Sequence, residues 1–152
     1  MKAVLQRVKE CKVSVDNKIT GHIQKGWFVL LGISRKDEPE DASFLARKTV
    51  SLRAFNDTND KMNLSIKEIN GQILVISQFT LFANCLKGRR PSFVDSAPPE
   101  FAQELYQNYI HSLKNHEIDV ETGIFGKKMS IESFADGPVT LIIDTNDRKK
   151  AI

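Results

Sequence analysis

The segment at residues 71–82 constrains the fold of this chain more than any other. It reads GQILVISQFTLF, and in an extended strand its alternating side chains are apolar on both faces up to residue 77. A strand that is apolar on both faces must be covered on both sides, as in the middle of a sheet. We therefore predict a central, buried strand over residues 71–82.

The end of this predicted strand is polar. Ser77, Gln78 and Thr80 follow the apolar run, and burying an unpaired polar group costs about 1–3 kcal/mol. The three side chains therefore either cap the following loop or face a cavity, and the pattern does not decide between these alternatives. Thr80 invites a role as nucleophile, but a threonine hydroxyl needs an activating base, and none lies nearby in the sequence.

The remaining segments predict an α+β domain with two main helices. One helix is indicated after Pro39, with apolar residues at helical spacing over 42–52, and the other after Pro99, with an apolar stripe over 101–113. A hairpin turn is predicted at Asp16 and Asn17. Further strands are predicted at residues 3–8, 13–15, 19–23, 27–33, 118–121, 128–134 and 139–144. Because short turns link several strands, we expect a largely antiparallel or mixed β-sheet.

Length and composition favour a single domain over residues 1–152. The 152 residues are 41% apolar and 27% charged, which is enough material for one hydrophobic core. The first seven residues carry charge, and no stretch approaches the roughly 20 apolar residues that cross a bilayer. We therefore expect a cytoplasmic protein without a membrane partner, in which Cys11 and Cys85 are free thiols.

The basic residues suit a nucleic-acid partner without requiring one. The formal net charge is +3, which is lower than that of a dedicated nucleic-acid binder. Lys87, Arg89 and Arg90 cluster soon after the polar strand end, whereas the basic groups at 127–128 and 148–150 are interpreted as solvated surface. The three histidines lack the spacing of a metal site or a catalytic triad, so we expect no metal. We expect no cofactor either.

Short motifs along the whole chain resemble those of D-aminoacyl-tRNA deacylases. The two signature motifs are Ser77-Gln78-Phe79-Thr80-Leu81 and Gly137-Pro138-Val139-Thr140. Supporting matches are Leu5-Gln6-Arg7-Val8, Lys61-Met62-Asn63-Leu64-Ser65, Lys87-Gly88-Arg89-Arg90-Pro91-Ser92-Phe93, Ala97-Pro98-Pro99-Glu100 and Glu121-Thr122-Gly123-Ile124-Phe125-Gly126. Each motif alone is weak, but their order and spacing together are specific. One departure is Ala135, where the family usually has asparagine.

The resemblance implies a homodimeric hydrolase with a barrel-like sheet and with active sites at the subunit interface. Its substrate would be the ester at the acceptor end of D-aminoacyl-tRNA. Residues Ser77, Gln78, Phe79 and Thr80 would line the pocket, and main-chain N–H groups would stabilise the developing oxyanion. The neighbouring ribose hydroxyl of the RNA would assist the reaction, which fits the absence of a base and leaves Thr80 a positioning role.

The resemblance implies that the second signature motif distinguishes D-amino acids from L-amino acids. The Gly137-Pro138 peptide would be cis and would project, with Val139 and Thr140, into the active site of the partner subunit. Its carbonyl oxygens would leave room at the α-carbon of the substrate for hydrogen but not for a side chain, so that L-amino acids are rejected. Glycyl-tRNA, including that mischarged on tRNA(Ala), would be cleaved.

The contacts to the tRNA are less well defined by the resemblance. Phe125 and Met129 fall in the family's stretch near the terminal adenine, where an aromatic side chain can stack on an unpaired base. Packing in the core explains these two residues equally well. Lys87, Arg89 and Arg90 are the candidates for phosphate contacts.

Two alternative functions remain at this point. A related animal group of tRNA deacylases tolerates L-alanine, but Ser77-Gln78-Phe79 and Val139 favour the chirally strict group. A non-enzymatic nucleic-acid-binding protein would also fit the small excess of basic over acidic residues.

Overall fold

The computed structural model describes the backbone of residues 1–150 and the side chains of residues 1–148. For the basic group at 148–150, which is predicted to be solvated surface, the side chains of 149–150 therefore lie outside the described part. Its elements follow the chain in this order: β1 (Lys2–Val15), β2 (Lys18–Ile23), β3 (Gly26–Gly32), α1 (Pro39–Ser51), β4 (Phe55–Asn56), β5 (Met62–Leu64), β6 (Gln72–Ser77), a 3-10 helix (Phe79–Phe82), α2 (Pro99–Asn115), β7 (Asp119–Thr122), β8 (Ser130–Asp144) and α3 (Thr145–Lys150).

The long strand β1 organises the sheet. Its first half pairs antiparallel with β3, and its second half pairs antiparallel with β2. Strand β8 runs antiparallel along nearly the whole of β1, on its other edge. The predicted turn at Asp16 and Asn17 closes the β1–β2 hairpin with φ values of 49° and 63°, which Asp and Asn adopt more readily than other side chains.

Strands β6 and β7 extend the sheet in parallel. The parallel pairs are β3 with β6 and β6 with β7, so the six-stranded sheet is mixed. Strand β2 curls over to contact β6 and β7, and a Cβ atom at Gly21 would lie only 2.6 Å from the carbonyl oxygen of Thr122. The absence of a side chain at residue 21 therefore lets the sheet nearly close. The predicted α+β class and barrel-like mixed sheet are confirmed.

Both faces of the central strand are buried, as its sequence predicts. Ile73 and Val75 belong to the main core, in which the apolar stripes of α1 and α2 also lie. Leu74 and Ile76 belong to a second cluster beneath β1 and β2. The two helices also meet through a buried hydrogen bond of 2.9 Å between the hydroxyls of Thr49 and Tyr109.

The central strand is shorter than predicted. It ends at Ser77, and residues 79–82 form a 3-10 helix instead. The reason lies in its neighbour: β3 ends at Gly32, and the N–H of Gln78 donates the last bond of this ladder to the carbonyl of Leu31, at 2.8 Å. The chain then folds back over Gly32, where a Cβ would lie 2.9 Å from the Cβ of Leu81.

The C-terminal part also differs from the prediction. The two strands predicted at 128–134 and 139–144 form the single strand β8, which is bulged in its middle. Helix α3 was not predicted, because its sequence TNDRKK has no apolar stripe. Cys11 is buried and Cys85 is exposed, and both are free thiols, as predicted. No helix in the described residues is long and apolar enough to cross a membrane.

Candidate active site

A cavity of about 630 Å³ opens where β6 ends. Its volume lies in the range of small-molecule binding sites. The residues that line it come from the end of β6, from the start of α2 and from the segment that leads into β8; they include Ser77, Gln78, Phe79, Ala102, Phe125 and Met129. At the polar strand end, Ser77 and Gln78 therefore face a cavity, whereas Thr80 does not line it.

The residues after β6 are arranged by the turn into the 3-10 helix. The side-chain amide of Gln78 donates a hydrogen bond to the hydroxyl of Thr80, and Thr80 is not among the described residues that line the cavity. The N–H groups at the start of a helix lack intrahelical acceptors, so that of Phe79, which lines the cavity, is available to a ligand. The first bond of this helix runs from the N–H of Leu81 to the carbonyl of Gln78, at 3.3 Å.

Two residues of the loop before α2 contact Phe79. The hydroxyl of Ser96, which is buried, donates to the carbonyl of Phe79 at 3.0 Å. The ring of Phe79 is 54% exposed and meets the ring of Phe93 edge to face, with centroids 5.0 Å apart. Ser96 and Phe93 also line the cavity, so the loop before α2 fixes this side of the site.

Phe125 and Met129 also line the cavity, and both pack against the core. The ring of Phe125 lies 5.6 Å from that of Tyr106, whose phenol donates to the carbonyl of Val75 at 2.9 Å. Burial raises the pKa of Tyr106, so the phenol stays neutral and remains a donor. Met129 fits because residue 123 is glycine: a Cβ there would lie 2.4 Å from the Met129 sulfur.

The charged lining residues of the cavity are cationic. Among the described residues, Arg35 and Lys127 line it, and no aspartate, glutamate or histidine does. Residues 1–148 also hold no cluster of three His, Cys, Asp or Glu side chains that could bind a metal ion. Sequence reasoning missed Arg35 and interpreted Lys127 as solvated surface. The site can therefore donate hydrogen bonds and bind anions, but its lining offers no carboxylate or imidazole base.

The second signature motif forms a bulge in β8. Gln6 faces Thr140 and Val8 faces Ala135, so residues 136–139 lie opposite Arg7 alone. The peptide bond between Gly137 and Pro138 is cis. Residue 137 has a φ of 152°, and a Cβ on it would lie 2.3 Å from the backbone nitrogen of Val139, so only glycine fits at this position.

Arg7 anchors this bulge. It is 6% exposed, and its Nε contacts the carbonyl and the carboxylate of Asp136 at 3.1 and 3.2 Å. Its Nη1 donates to the carbonyl of Ala54 at 2.8 Å and to the side chain of Asn56 at 2.9 Å. The sequence carried a signal for this role, because residues 3, 5 and 7 share a strand face and the first two are apolar. A charged side chain that points into the core needs partners there.

The bulge does not belong to the cavity of its own chain. None of residues 136–140 lines it, whereas Ile131 does. A strand rises about 3.3 Å per residue, so Gly137 lies roughly 15–20 Å farther along β8 than Ile131. Between and beyond them β8 exposes large apolar side chains: Phe134 is 65% exposed and Ile142 is 74% exposed.

The candidate phosphate contacts also lie away from the cavity lining. Lys87, Arg89 and Arg90 are exposed in a loop that is closed by two hydrogen bonds between the backbones of Asn84 and Ser92, at 2.8 and 3.0 Å. The loop leads from the 3-10 helix to Phe93, which does line the cavity. The three cations are therefore next to the site along the chain but outside it.

Known proteins resemble this chain over nearly its whole length. The family model described as D-Tyr-tRNA(Tyr) deacylase matches residues 4–144. D-aminoacyl-tRNA deacylases of Thermosipho africanus and Dictyoglomus turgidum are 50% and 52% identical over 145 and 150 residues, covering 95% and 99% of this chain and 97% and 96% of theirs. A solved structure described as c-Myc DNA Unwinding Element Binding Protein matches with a TM-score of 0.88 and 36% identity, covering 95% of this chain and 98% of that one. This chain therefore belongs to the D-Tyr-tRNA(Tyr) deacylase family.

Proposed function

We propose that this protein hydrolyses the ester bond of D-aminoacyl-tRNA, releases the tRNA and the free amino acid, and rejects L-aminoacyl-tRNA. The observation that carries the proposal is the position of Ser77, Gln78 and Phe79 around one cavity, in a chain whose relatives at 50% and 52% identity bear the name D-aminoacyl-tRNA deacylase. The cavity volume of about 630 Å³ and the hydrogen-bond donors of its lining suit a small ester ligand.

The chemistry follows from what the cavity lining offers. The N–H group of Phe79 lies at the carbonyl oxygen of the ester, where such a donor can stabilise the developing charge by about 3–4 kcal/mol. No carboxylate or imidazole of the described residues lines the cavity. Water therefore attacks the ester carbonyl with the assistance of the neighbouring ribose hydroxyl, and the ester oxygen leaves as the second hydroxyl of the tRNA ribose. Ser77 and Gln78 hold the ester in place, and Thr80 positions Gln78 through their hydrogen bond.

Handedness is read by the bulge of a second copy of the chain. In a homodimer the carbonyl oxygens of Gly137 and Pro138 enter the partner's cavity next to the α-carbon, while Val139 and Thr140 flank them. Two observations support this arrangement: the bulge is too far along β8 to serve its own cavity, and exposed apolar residues of β8 suit an interface between two copies.

The acceptor end of the tRNA occupies the part of the cavity that Phe125 and Met129 line. Phe125 and Met129 hold the terminal adenine by stacking and packing, a common way of binding an unpaired base. Lys87, Arg89 and Arg90 contact the phosphate backbone from the neighbouring loop, so binding of tRNA should weaken as salt is raised. Neutralising all three without weakening tRNA binding would refute that role.

The function predicts a definite order of substrates. The purified protein should cleave D-tyrosyl-tRNA and glycyl-tRNA and leave L-tyrosyl-tRNA intact, because glycine offers hydrogen on both sides of its α-carbon. In Gly137→Ala the added Cβ meets Val139, and cleavage of D-tyrosyl-tRNA should fall at least about tenfold, or 1.4 kcal/mol. Glycyl-tRNA that resists an enzyme active on D-tyrosyl-tRNA would contradict the steric explanation. Absence of all deacylation would favour a nucleic-acid-binding protein.

Arg7 should act as a positioning residue for the bulge. Arg7→Gln removes the contacts to Asp136 and Ala54, and misplacement of the bulge should lower kcat on D-tyrosyl-tRNA by about 10- to 100-fold. The ratio of D- to L-tyrosyl-tRNA cleavage should fall as well. Lys9→Gln, an exposed change on the same strand, is the control. A folded Arg7→Gln protein with unchanged selectivity would show that the bulge holds its own position.

Thr80 should not behave as a nucleophile. Its hydroxyl does not line the cavity and accepts a hydrogen bond from Gln78, so Thr80→Ala should lower the rate of D-tyrosyl-tRNA hydrolysis by less than about tenfold, or 1.4 kcal/mol. Single-turnover rates at saturating enzyme measure the effect on the chemical step. A loss above about a thousandfold in a folded protein would restore Thr80 as the attacking group, since loss of a nucleophile has effects of that size.

A further inference from the structure

We propose that Arg35 and Lys127 form a subsite for the phosphodiester group that joins the last two nucleotides of the tRNA acceptor end. This inference rests on the proposed function and deepens it. It assigns a role to two cations at the cavity that neither the signature motifs nor the proposed chemistry uses.

The charge of the cavity lining is the first observation. The whole chain carries 22 basic and 19 acidic residues, yet the described lining contains Arg35 and Lys127 and no carboxylate. Most other lining side chains are apolar or aromatic, among them Phe79, Phe93 and Phe125. An apolar cavity with unbalanced positive charge suits a ligand that has an aromatic body and an anionic group. A nucleotide has both.

Arg35 is held in place by the loop before α2. The backbones of Ile33 and Ala97 are joined by a hydrogen bond of 3.0 Å, and Ser34 pairs with Ser96. The Nε of Arg35 donates to the carbonyl of Val94 at 2.8 Å. This bond uses only the Nε of the guanidinium. The two terminal nitrogens form no ion pair with the described residues, so they can bind a ligand. A guanidinium held in this way presents a fork that matches two phosphate oxygens.

Lys127 lies on a tight turn beside the residues proposed to hold adenine. Its N–H donates to the carbonyl of Ile124 at 3.2 Å. Gly126 takes a φ of 74°, and a Cβ added there would meet no atom within 4 Å, so the turn is open to solvent. Phe125 and Met129 flank Lys127 in sequence and line the same cavity. A cation here is close to the residues proposed to hold the base, and a phosphate attached to the same nucleoside would be within a few bonds of that base.

The carboxylate of an acidic amino acid is the alternative ligand for the same two cations. The side chain of a D-aspartyl ester would present a carboxylate, whereas the phosphodiester is present with every amino acid. The position of Lys127 in the sequence favours the phosphate. Lys127 lies between Phe125 and Met129, which are proposed to hold the adenine, and far along the chain from Ser77 and Gln78, which are proposed to hold the ester. The two sources are separated by substrates that carry one anion and lack the other.

The test compares three esters with the double variant Arg35→Gln/Lys127→Gln. D-tyrosyl-adenosine has no phosphate, the D-tyrosyl ester of the dinucleotide CpA has one, and D-aspartyl-adenosine has only the carboxylate. The fall in kcat/KM should be at least about tenfold larger for the CpA ester than for D-tyrosyl-adenosine, the size of one charge-assisted contact. Lys18→Gln/Lys25→Gln, which removes two exposed lysines elsewhere, is the charge-matched control, and Arg35→Lys/Lys127→Arg should retain most of the preference.

Several results would overturn the proposal. Equal losses on D-tyrosyl-adenosine and the CpA ester would mean that the two cations act on the ester or on the fold. A selective loss on D-aspartyl-adenosine would mean that they read the amino acid. Calorimetric binding of unacylated CpA and of adenosine provides a readout that needs no hydrolysis: wild type should bind CpA more tightly, and the double variant should lose that difference. This readout decides the subsite even if the proposed ester hydrolysis fails.

Discussion

The buried guanidinium of Arg7 is the interaction on which the proposed site depends. A cation that is 6% exposed must find several acceptors, because an unpaired buried charge is strongly destabilising. Arg7 finds them on two separate parts of the chain, at Asp136 next to the bulge and at Ala54 and Asn56 after α1. The bulge at residues 136–139 is thereby tied to the body of the domain. The proposed exclusion of a single side chain by this bulge requires that its atoms be held firmly, because exclusion fails if they move.

The fold separates the two halves of the proposed site. The cavity forms where the ladder between β3 and β6 ends at Gln78, whereas the bulge interrupts the pairing of β1 with β8. Strand β8 pairs with β1 on one edge and has no partner strand on the other within residues 1–150, and it exposes Phe134 and Ile142. The proposed second copy, placed on this surface, would cover the apolar side chains.

Local patterns in the sequence predict most of the elements of this fold. A burial pattern within one segment predicts three of them: the helical spacing of apolar residues after Pro39 and after Pro99, and the run at 72–77 that is apolar on both strand faces. The 3-10 helix at 79–82 could not be predicted this way, because it depends on where the neighbouring strand β3 ends. The sequence also singled out Ser77 and Gln78, which line the cavity, and the Gly137-Pro138 motif, whose role at the site stays a prediction. Arg7 and Arg35 were missed as site residues because their partners lie about 50 or more residues away along the chain.

Complementation between two defective chains tests the cross-subunit site most directly. Gly137→Ala disables the bulge and Gln78→Ala disables the cavity, so each homodimer alone should have little activity on D-tyrosyl-tRNA. Random mixing gives half heterodimers with one intact cavity facing one intact bulge, and activity should return to about a quarter of wild type. If the bulge served its own cavity, each heterodimer would combine two defective sites and the mixture would be no more active than the separate homodimers. That result would contradict the proposed dimeric reading of handedness.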